Sequence, residues 1–340
     1  MTTMIEFDNV SIVFGDKPQV ALPLMDQNLT RDEIKTKTGQ ILGVHNCNLK
    51  VAVGEISVLM GLSGSGKSTL LRAVNGLNKV TRGRMMVSDG SNMIDAAAVN
   101  EATMRDIRTK RVSMVFQSFG LLPWRTVADN VAFGLEVSGQ GPAARRARAM
   151  QELERVNLTQ WADRMVSELS GGMRQRVGLA RAFATDAPIL LMDEPFSALD
   201  PLIRAKLQDE LLELQASVRR TILFVSHDLE EAVKIGDHIA IMEGGRIVQH
   251  GTPEEIVLKP FNDYVAEFVA HLNPLPVMRA IDAMQPGSKV SGAEVEHDTP
   301  VTKLIPIFAK SPNTRLTVKG PGGIIGTISA EDVLSKLARA

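Results

Sequence analysis

Cysteine is nearly absent from this chain: Cys47 stands alone among 340 residues. That excludes an internal disulfide and any cysteine-rich metal site, and it fits a reducing compartment. Charge of one sign is lacking too. Lys and Arg number 38 against 39 Asp and Glu, for a formal net charge of −1. Such a balance removes bulk electrostatics as a reason to bind nucleic acid or an anionic membrane. No apolar run approaches the roughly 18 residues needed to span a bilayer. The start, Met-Thr-Thr-Met-Ile-Glu-Phe-Asp, carries neither a basic region nor an apolar stretch, so a secretion signal is not expected. There is no internal repeat and no low-complexity tract. What remains is ordinary for a globular protein, with 44% hydrophobic and 23% charged residues. At about 150 residues per domain, two domains are expected.

The first two-thirds alternate short apolar runs with helical periodicity, the pattern of an α/β domain with a largely parallel sheet. Ile56 to Met60 reads as a buried strand, Gly61 to Gly66 as a loop, and a helix starts at Lys67 with Leu70, Leu71, Val74 and Leu77 on one face. Val112 to Phe116, Ile189 to Met192 and Thr221 to Val225 read as further strands. Pro142 to Asn157 reads as a polar helix, and Ile203 to Leu214 marks an amphipathic one. Ile239 to Met242, Gly244-Gly245 and Arg246 to Gln249 form a hairpin pattern. Thr252-Pro253-Glu254-Glu255 is a capping box. Periodicity fades near 272. Asn273-Pro274-Leu275-Pro276 reads as a linker and Gln285-Pro286-Gly287-Ser288 as a turn. From about 299 a small second module follows: a periodic stretch from Pro300 to Ile307, strands at Leu316–Val318 and Ile324–Ile328, and a helix capped by Ser329.

Three segments carry chemistry. Gly61-Leu62-Ser63-Gly64-Ser65-Gly66-Lys67-Ser68 matches G-x-x-x-x-G-K-[ST]. Glycines turn backbone N–H groups inward, the next helix points its positive end at phosphates, Lys67 adds a full charge, and Ser68 can ligate Mg²⁺. Ile189-Leu190-Leu191-Met192-Asp193-Glu194 delivers two carboxylates to the end of a buried strand, where open α/β sheets bind ligands. Asp193 suits a hydrated Mg²⁺. Glu194, on the other side of the strand, suits polarising a water. Leu169-Ser170-Gly171-Gly172-Met173-Arg174-Gln175 opens a helix with bare backbone donors, a second anion-binding design. Two phosphate cradles in one chain make sense if each holds half of one nucleotide and two chains meet head to tail. Arg145, Arg146 and Arg148 read as a solvated helix face rather than a nucleic-acid patch. Cys47 reads as a buried strand residue. Trp124 reads either as core or as part of a surface that grips a partner.

Taken together, these motifs resemble an ABC-transporter ATPase over about residues 4–270. The fold implied is a P-loop NTPase core of ABC ATPase type. It carries an antiparallel β subdomain and a helical subdomain near 118–165, all within a domain spanning 1–271. The resemblance makes Gln117, in Val-Phe-Gln-Ser-Phe, the Q-loop glutamine that touches Mg²⁺. It makes Ser197-Ala198-Leu199-Asp200 the loop that crosses a dimer interface, with Ser197 and Asp200 as its polar members. His227, in Val-Ser-His-Asp, becomes the switch histidine at the γ-phosphate. Phe14 becomes the ring that stacks on adenine, where Tyr is more usual; any aromatic face can stack. The implied catalytic set is Glu194, His227 and Gln117. The implied ATP-binding set is Phe14, Gly61, Ser63, Gly64, Ser65, Gly66, Lys67, Ser68 and Thr69. Ser170, Gly171, Gly172 and Gln175 would act on the nucleotide of a second copy. Ser68, Gln117 and Asp193 would hold Mg²⁺.

Three features look narrower than the superfamily. A long insertion, Asp16 to Leu42, contains the capping box Thr30-Arg31-Asp32-Glu33. ATPases of the glycine betaine, proline betaine and choline importers have a similar one. The wording around the motifs, such as Met-Gly-Leu-Ser-Gly-Ser-Gly-Lys-Ser and Ser-Gly-Gly-Met-Arg-Gln-Arg-Val, resembles the same branch. The tail, Gly323 to Ser329 followed by Glu331-Asp332-Val333-Leu334, resembles the end of a CBS module. Osmoregulatory members carry two in tandem, and only about one fits at 299–340, after a linker at 272–298. A short tail is more like the choline-uptake members, so choline is the expected solute and glycine betaine or proline betaine the alternative.

The resemblance further implies permease subunits as partners, a periplasmic or lipid-anchored binding protein upstream, and a peripheral place on the cytoplasmic face of a bacterial inner membrane. Rival readings fit less well. A DNA-repair member would need a long coiled coil, a translation-type member two cassettes, and a P-loop kinase an acceptor site that leaves Leu169–Gln175 unexplained.

Overall fold

The structure, a computed structural model, describes residues 2–118, 120–197, 199–287 and 293–338. Phe119, Ala198 and Ser288, each part of a segment singled out above, lie outside the described residues. The chain forms two compact units, residues 1–250 and 251–340.

The first unit is built on two sheets. One is four-stranded, in the order β2-β1-β4-β5, from β1 (Thr3–Phe14), β2 (Ile41–Ala52), β4 (Arg82–Ser88) and β5 (Met93–Asp95), with antiparallel pairs throughout. The other is six-stranded, in the order β10-β9-β3-β8-β7-β6. Its strands are β3 (Ile56–Met60), β6 (Val112–Val115), β7 (Ile189–Asp193), β8 (Thr221–Val225), β9 (His238–Glu243) and β10 (Arg246–Gly251). β3, β8, β7 and β6 pair in parallel. Every residue of β3, β7 and β8 is buried, which explains why they read as unbroken apolar runs. Because these four neighbours are parallel, their carboxyl ends share one edge of the sheet. Gly61, Gln117, Glu194 and His227 all follow those ends.

Two further parts complete this unit. Between β1 and β2 the insertion folds on a small core of its own, Val13, Ala21, Met25, Ile34 and Leu42. The Thr30 capping box forms there, with Gly39 in a left-handed turn closing the helix Arg31–Thr38. Between β6 and β7 a helical region packs Val131, Leu135, Leu153 and Val177 into a separate cluster. Leu77 departs from the expected helix face. The helix ends at Leu71, the chain then turns, and Leu77 is exposed while Leu70, Leu71 and Val74 are buried.

In the second unit, β13 (Arg315–Gly320) and β14 (Gly323–Ser329) form a hairpin within a four-stranded sheet, β11-β14-β13-β12. Gln285 and Pro286, read above as part of a turn, form the edge strand β11 against Thr327 and Gly326. Proline is tolerated there because an edge strand leaves one row of amides unpaired. β12 (Glu294–Glu296) is the other edge, parallel to β13. Helices Val301–Lys310 and Ala330–Leu337 supply Leu304, Phe308 and Val333 to the core, which also buries Met278, Ala280 and Ala283. Capping boxes at Thr252 and Ser329 form as expected.

Candidate active site at the carboxyl edge of the parallel sheet

The glycine loop follows β3 and needs its glycines for space. Gly61 has φ +140° and a Cβ there would fall 2.1 Å from the Met242 carbonyl oxygen. Gly66 has φ +103° and would meet the Gly43 carbonyl oxygen at 2.7 Å. The Lys67 ammonium is buried and donates to the carbonyl oxygens of Gly61 (2.8 Å) and Leu62 (3.0 Å). Burial lowers its pKa, opposed by the nearby carboxylates of Glu194 and Asp193. Ser63, Gly64, Gly66, Lys67, Ser68 and Thr69 line a cavity of about 550 Å³. Gly61 and Ser65 do not line it; they close the loop from behind, with the Ser65 amide donating to Leu62 O at 3.1 Å. Phe14, at the end of β1, lines the same cavity and is 40% exposed.

At the end of β7 the two carboxylates separate. Asp193 is fully buried and accepts from Ser68 Oγ at 2.6 Å. Its other oxygen takes Arg72, at 3.0 Å from Nε and 2.8 Å from Nη2. Arg72 is a functional candidate that the sequence reading missed; its signal is helical spacing, one turn beyond Ser68. Strand alternation was expected to send Glu194 to the opposite face. Instead the strand stops at Asp193 and Glu194 turns sharply, with φ +47° and its N–H on Val225 O. That turn brings its carboxylate to two partners. Gln117 Nε2 donates to Glu194 Oε2 at 3.2 Å, and His227 Nδ1 lies 3.2 Å from the same oxygen. Three residues drawn from three strand ends therefore meet at one carboxylate.

Neighbouring loops are pinned from behind. Ser197 Oγ donates to Glu194 O at 3.1 Å, and Asp200 caps the helix Pro201–Val218 by accepting from Ile203 N. Asp228, next to His227, caps the following helix and pairs with Arg204 at 2.8 Å. Glu231 is buried and accepts from Ser226 Oγ and Gln208 Nε2, and burial pushes its pKa up. Sequence reading found none of Arg204, Gln208 or Glu231; the Arg204–Asp228 and Gln208–Glu231 contacts join residues more than 20 apart, on two different helices.

The Ser-Gly-Gly segment sits elsewhere. Ser170 caps the helix Gly171–Ala184, accepting from Met173 N. A Cβ on Gly171 would meet nothing within 4 Å, so that backbone is open to approach. Gln175 is 1% exposed, and neither end of its amide has a partner among the described residues. None of Ser170, Gly171, Gly172 or Gln175 lines the Lys67 cavity. Trp124 is 71% exposed, which removes the core reading. Arg145, Arg146 and Arg148 are engaged by Glu136, Asp163 and Asp186, as a solvated face should be.

The donors present fit the cofactors expected. A buried cation in a glycine cradle suits a polyphosphate. A serine hydroxyl beside a carboxylate suits Mg²⁺, which takes few protein oxygens and fills the rest with phosphate and water.

Residues 44–197 match the family model described as ABC transporter. The glycine betaine/proline betaine transport system ATP-binding protein ProV of Escherichia coli K12 is 50% identical over 282 residues, covering 83% of this chain and 70% of that protein. The chain belongs to the ABC transporter ATP-binding family. Its enzymatic activity is ATP hydrolysis coupled to transport. A second relative of this ABC ATPase matches almost end to end. The trimethylamine N-oxide transport system ATP-binding protein TmoW of Ruegeria pomeroyi is 42% identical over 99% of this chain and 98% of its own. The fold agrees with that of the dimeric ATP-binding cassette MJ0796 bound to ADP and Pi. The TM-score is 0.62 at 29% identity, over 74% of this chain and 99% of that one. Among the described residues no helix is long and apolar enough to cross a membrane.

Proposed function

We propose that this ABC ATPase powers a bacterial importer of small methylated amines, working as a head-to-tail dimer on the cytoplasmic face of a permease. The observation that carries the catalytic part is the meeting of Gln117 and His227 on the Glu194 carboxylate, beside the Lys67 cradle. In this reading Lys67 and the loop amides bind the β- and γ-phosphates, and Phe14 stacks on the base. Glu194 takes the proton of the attacking water, and His227 steadies the charge that gathers on the γ-phosphate. Ser68, Asp193 and the Gln117 carbonyl oxygen would hold Mg²⁺, which neutralises phosphate charge when bound. Ser170, Gly171, Gly172 and Gln175 of one copy close on the nucleotide held by the other. Ser197 and Asp200 lie at that joint.

Binding favours the closed pair and hydrolysis releases it, so the nucleotide does work through its differential affinity for two states. An exposed groove of about 500 Å³ beside β6, with Leu77, Phe116 and Val137 along it, supports a permease contact that would feel this motion. Glu194→Gln should lower ATP turnover roughly 10²–10⁴-fold while nucleotide binding persists; wild-type turnover would remove Glu194 from this role.

The solute reading rests on likeness. The relatives are named for glycine betaine, proline betaine and trimethylamine N-oxide transport, and the Listeria monocytogenes relative GbuA for glycine betaine/carnitine. That supports methylated-amine uptake. Choline, from the short tail, is the finer proposal, and a betaine is the alternative those names favour. Uptake of labelled choline by the reconstituted importer should exceed that of glycine betaine; the reverse order selects the alternative. The solute never touches this chain, whose 4% aromatic content supplies no cation cage, so a separate binding protein would select it. The tail is proposed as a single CBS-like module that steadies the dimer.

A further inference from the structure

We propose that the insertion between β1 and β2 is a wall of the nucleotide site, in which Arg31 positions the phosphate loop while Lys35 and Asp32 contact the nucleotide itself. The inference rests on reading the Lys67 cavity as the nucleotide site. That cavity is lined by Lys67 and Ser68 together with Phe14, Arg31, Asp32 and Lys35. Arg31 spans the gap between strand and loop. Its Nη1 donates to Gly64 O at 2.5 Å and its Nη2 to Gly43 O at 2.5 Å. The next loop carbonyl, Ser65 O, accepts from Gly245 N at 3.1 Å. Two successive carbonyls of the loop are thus tied outside it, which fixes the peptide planes that the phosphates must meet. A planar guanidinium does this with two separate nitrogens of one side chain, whereas an ammonium would have to serve both oxygens from a single nitrogen.

The helix that carries Arg31 is itself held. Thr30 and Glu33 cap it, Ile34 is fully buried, and the segment before it is tied down by Arg82 on Asp26 (2.8 Å) and Arg246 on Asn28 (3.0 Å). Asp32 and Lys35 are exposed, and their side chains have no hydrogen-bond or ion-pair partner among the described residues. A nucleotide with its phosphates on Lys67 and its base on Phe14 would occupy the cavity that both of them line. Lys35 then offers a second cation to the phosphate chain, and Asp32 a carboxylate that accepts from the ribose hydroxyls.

The test is steady-state ATPase of the full chain, with KM and kcat separated, together with direct binding of ATP and 2′-deoxy-ATP. Lys67→Ala tests the site reading, and it should abolish binding. Arg31→Ala should raise KM about tenfold with kcat within about twofold, and Arg31→Lys should recover only part, since one of two carbonyl bonds returns. Lys35→Ala should raise KM about threefold, and Asp32→Asn should narrow the preference for ATP over 2′-deoxy-ATP. Lys37→Ala, outside the cavity, should change nothing. Should Arg31→Ala fail to fold, the two exposed positions decide alone. Unchanged KM in Arg31→Ala and Lys35→Ala, with binding lost in Lys67→Ala, would overturn the inference and leave the site reading standing. Normal binding by Lys67→Ala would remove the site reading itself.

Discussion

Glu194 holds a left-handed backbone angle, φ +47°, that a side chain with a Cβ adopts at a cost of about 1–3 kcal/mol. The strain accompanies a turn that takes its carboxylate off the strand and onto Gln117 and His227. The motifs made Lys67, Ser68, Asp193 and Glu194 legible, because the chemistry of a phosphate cradle fixes residue type and spacing. Arg72 and Arg31 were not legible, because the carbonyl or carboxylate each one holds is brought near only by folding. His45 shows the same limit. It is buried on β2, and burial, then Arg246 and Arg82, push its pKa down to about 4, against the pull of Asp26. The folded chain therefore binds the proton less readily than the unfolded chain does. The stability this gives is complete above the ordinary value near 6.5 and is lost as pH falls toward about 4. Melting temperatures at pH 7.5 and 5 should drop further in the wild type than in His45→Gln; equal drops would place the histidine outside this linkage.

At the level of elements, local signals carried well. The capping boxes at Thr30, Thr252 and Ser329 each involve residues three apart, so short-range sequence suffices to place those helix starts. The buried parallel strands were legible from their apolar runs. The edge strand Gln285–Pro286 was not, since it exists only through its partner Thr327–Gly326, some 40 residues on. The insertion helix is the element whose stability bears on the site. Thr30→Ala removes the acceptor for the Glu33 amide and should cost about 1 kcal/mol. Faster hydrogen exchange across residues 31–38 would register that loss; unchanged exchange would mean the cap contributes nothing to holding Arg31 in place.

Across the whole molecule, the two glycine-rich segments do not share a cavity within one chain. The Lys67 loop lines one cavity, and the Ser170–Gly172 segment leaves its backbone open. That arrangement supports a nucleotide gripped by two copies. Gly171→Glu probes it selectively. A Cβ there meets nothing within 4 Å, and a carboxylate in the first turn of a helix is tolerated, yet in the paired reading it would stand against a neighbour's γ-phosphate. The decisive measurement is sedimentation of the Glu194→Gln protein with and without ATP, alone and combined with Gly171→Glu. The account predicts ATP-dependent pairing in the first and its loss in the double variant, which should still bind ATP. ATP-dependent pairing that survives Gly171→Glu would contradict it.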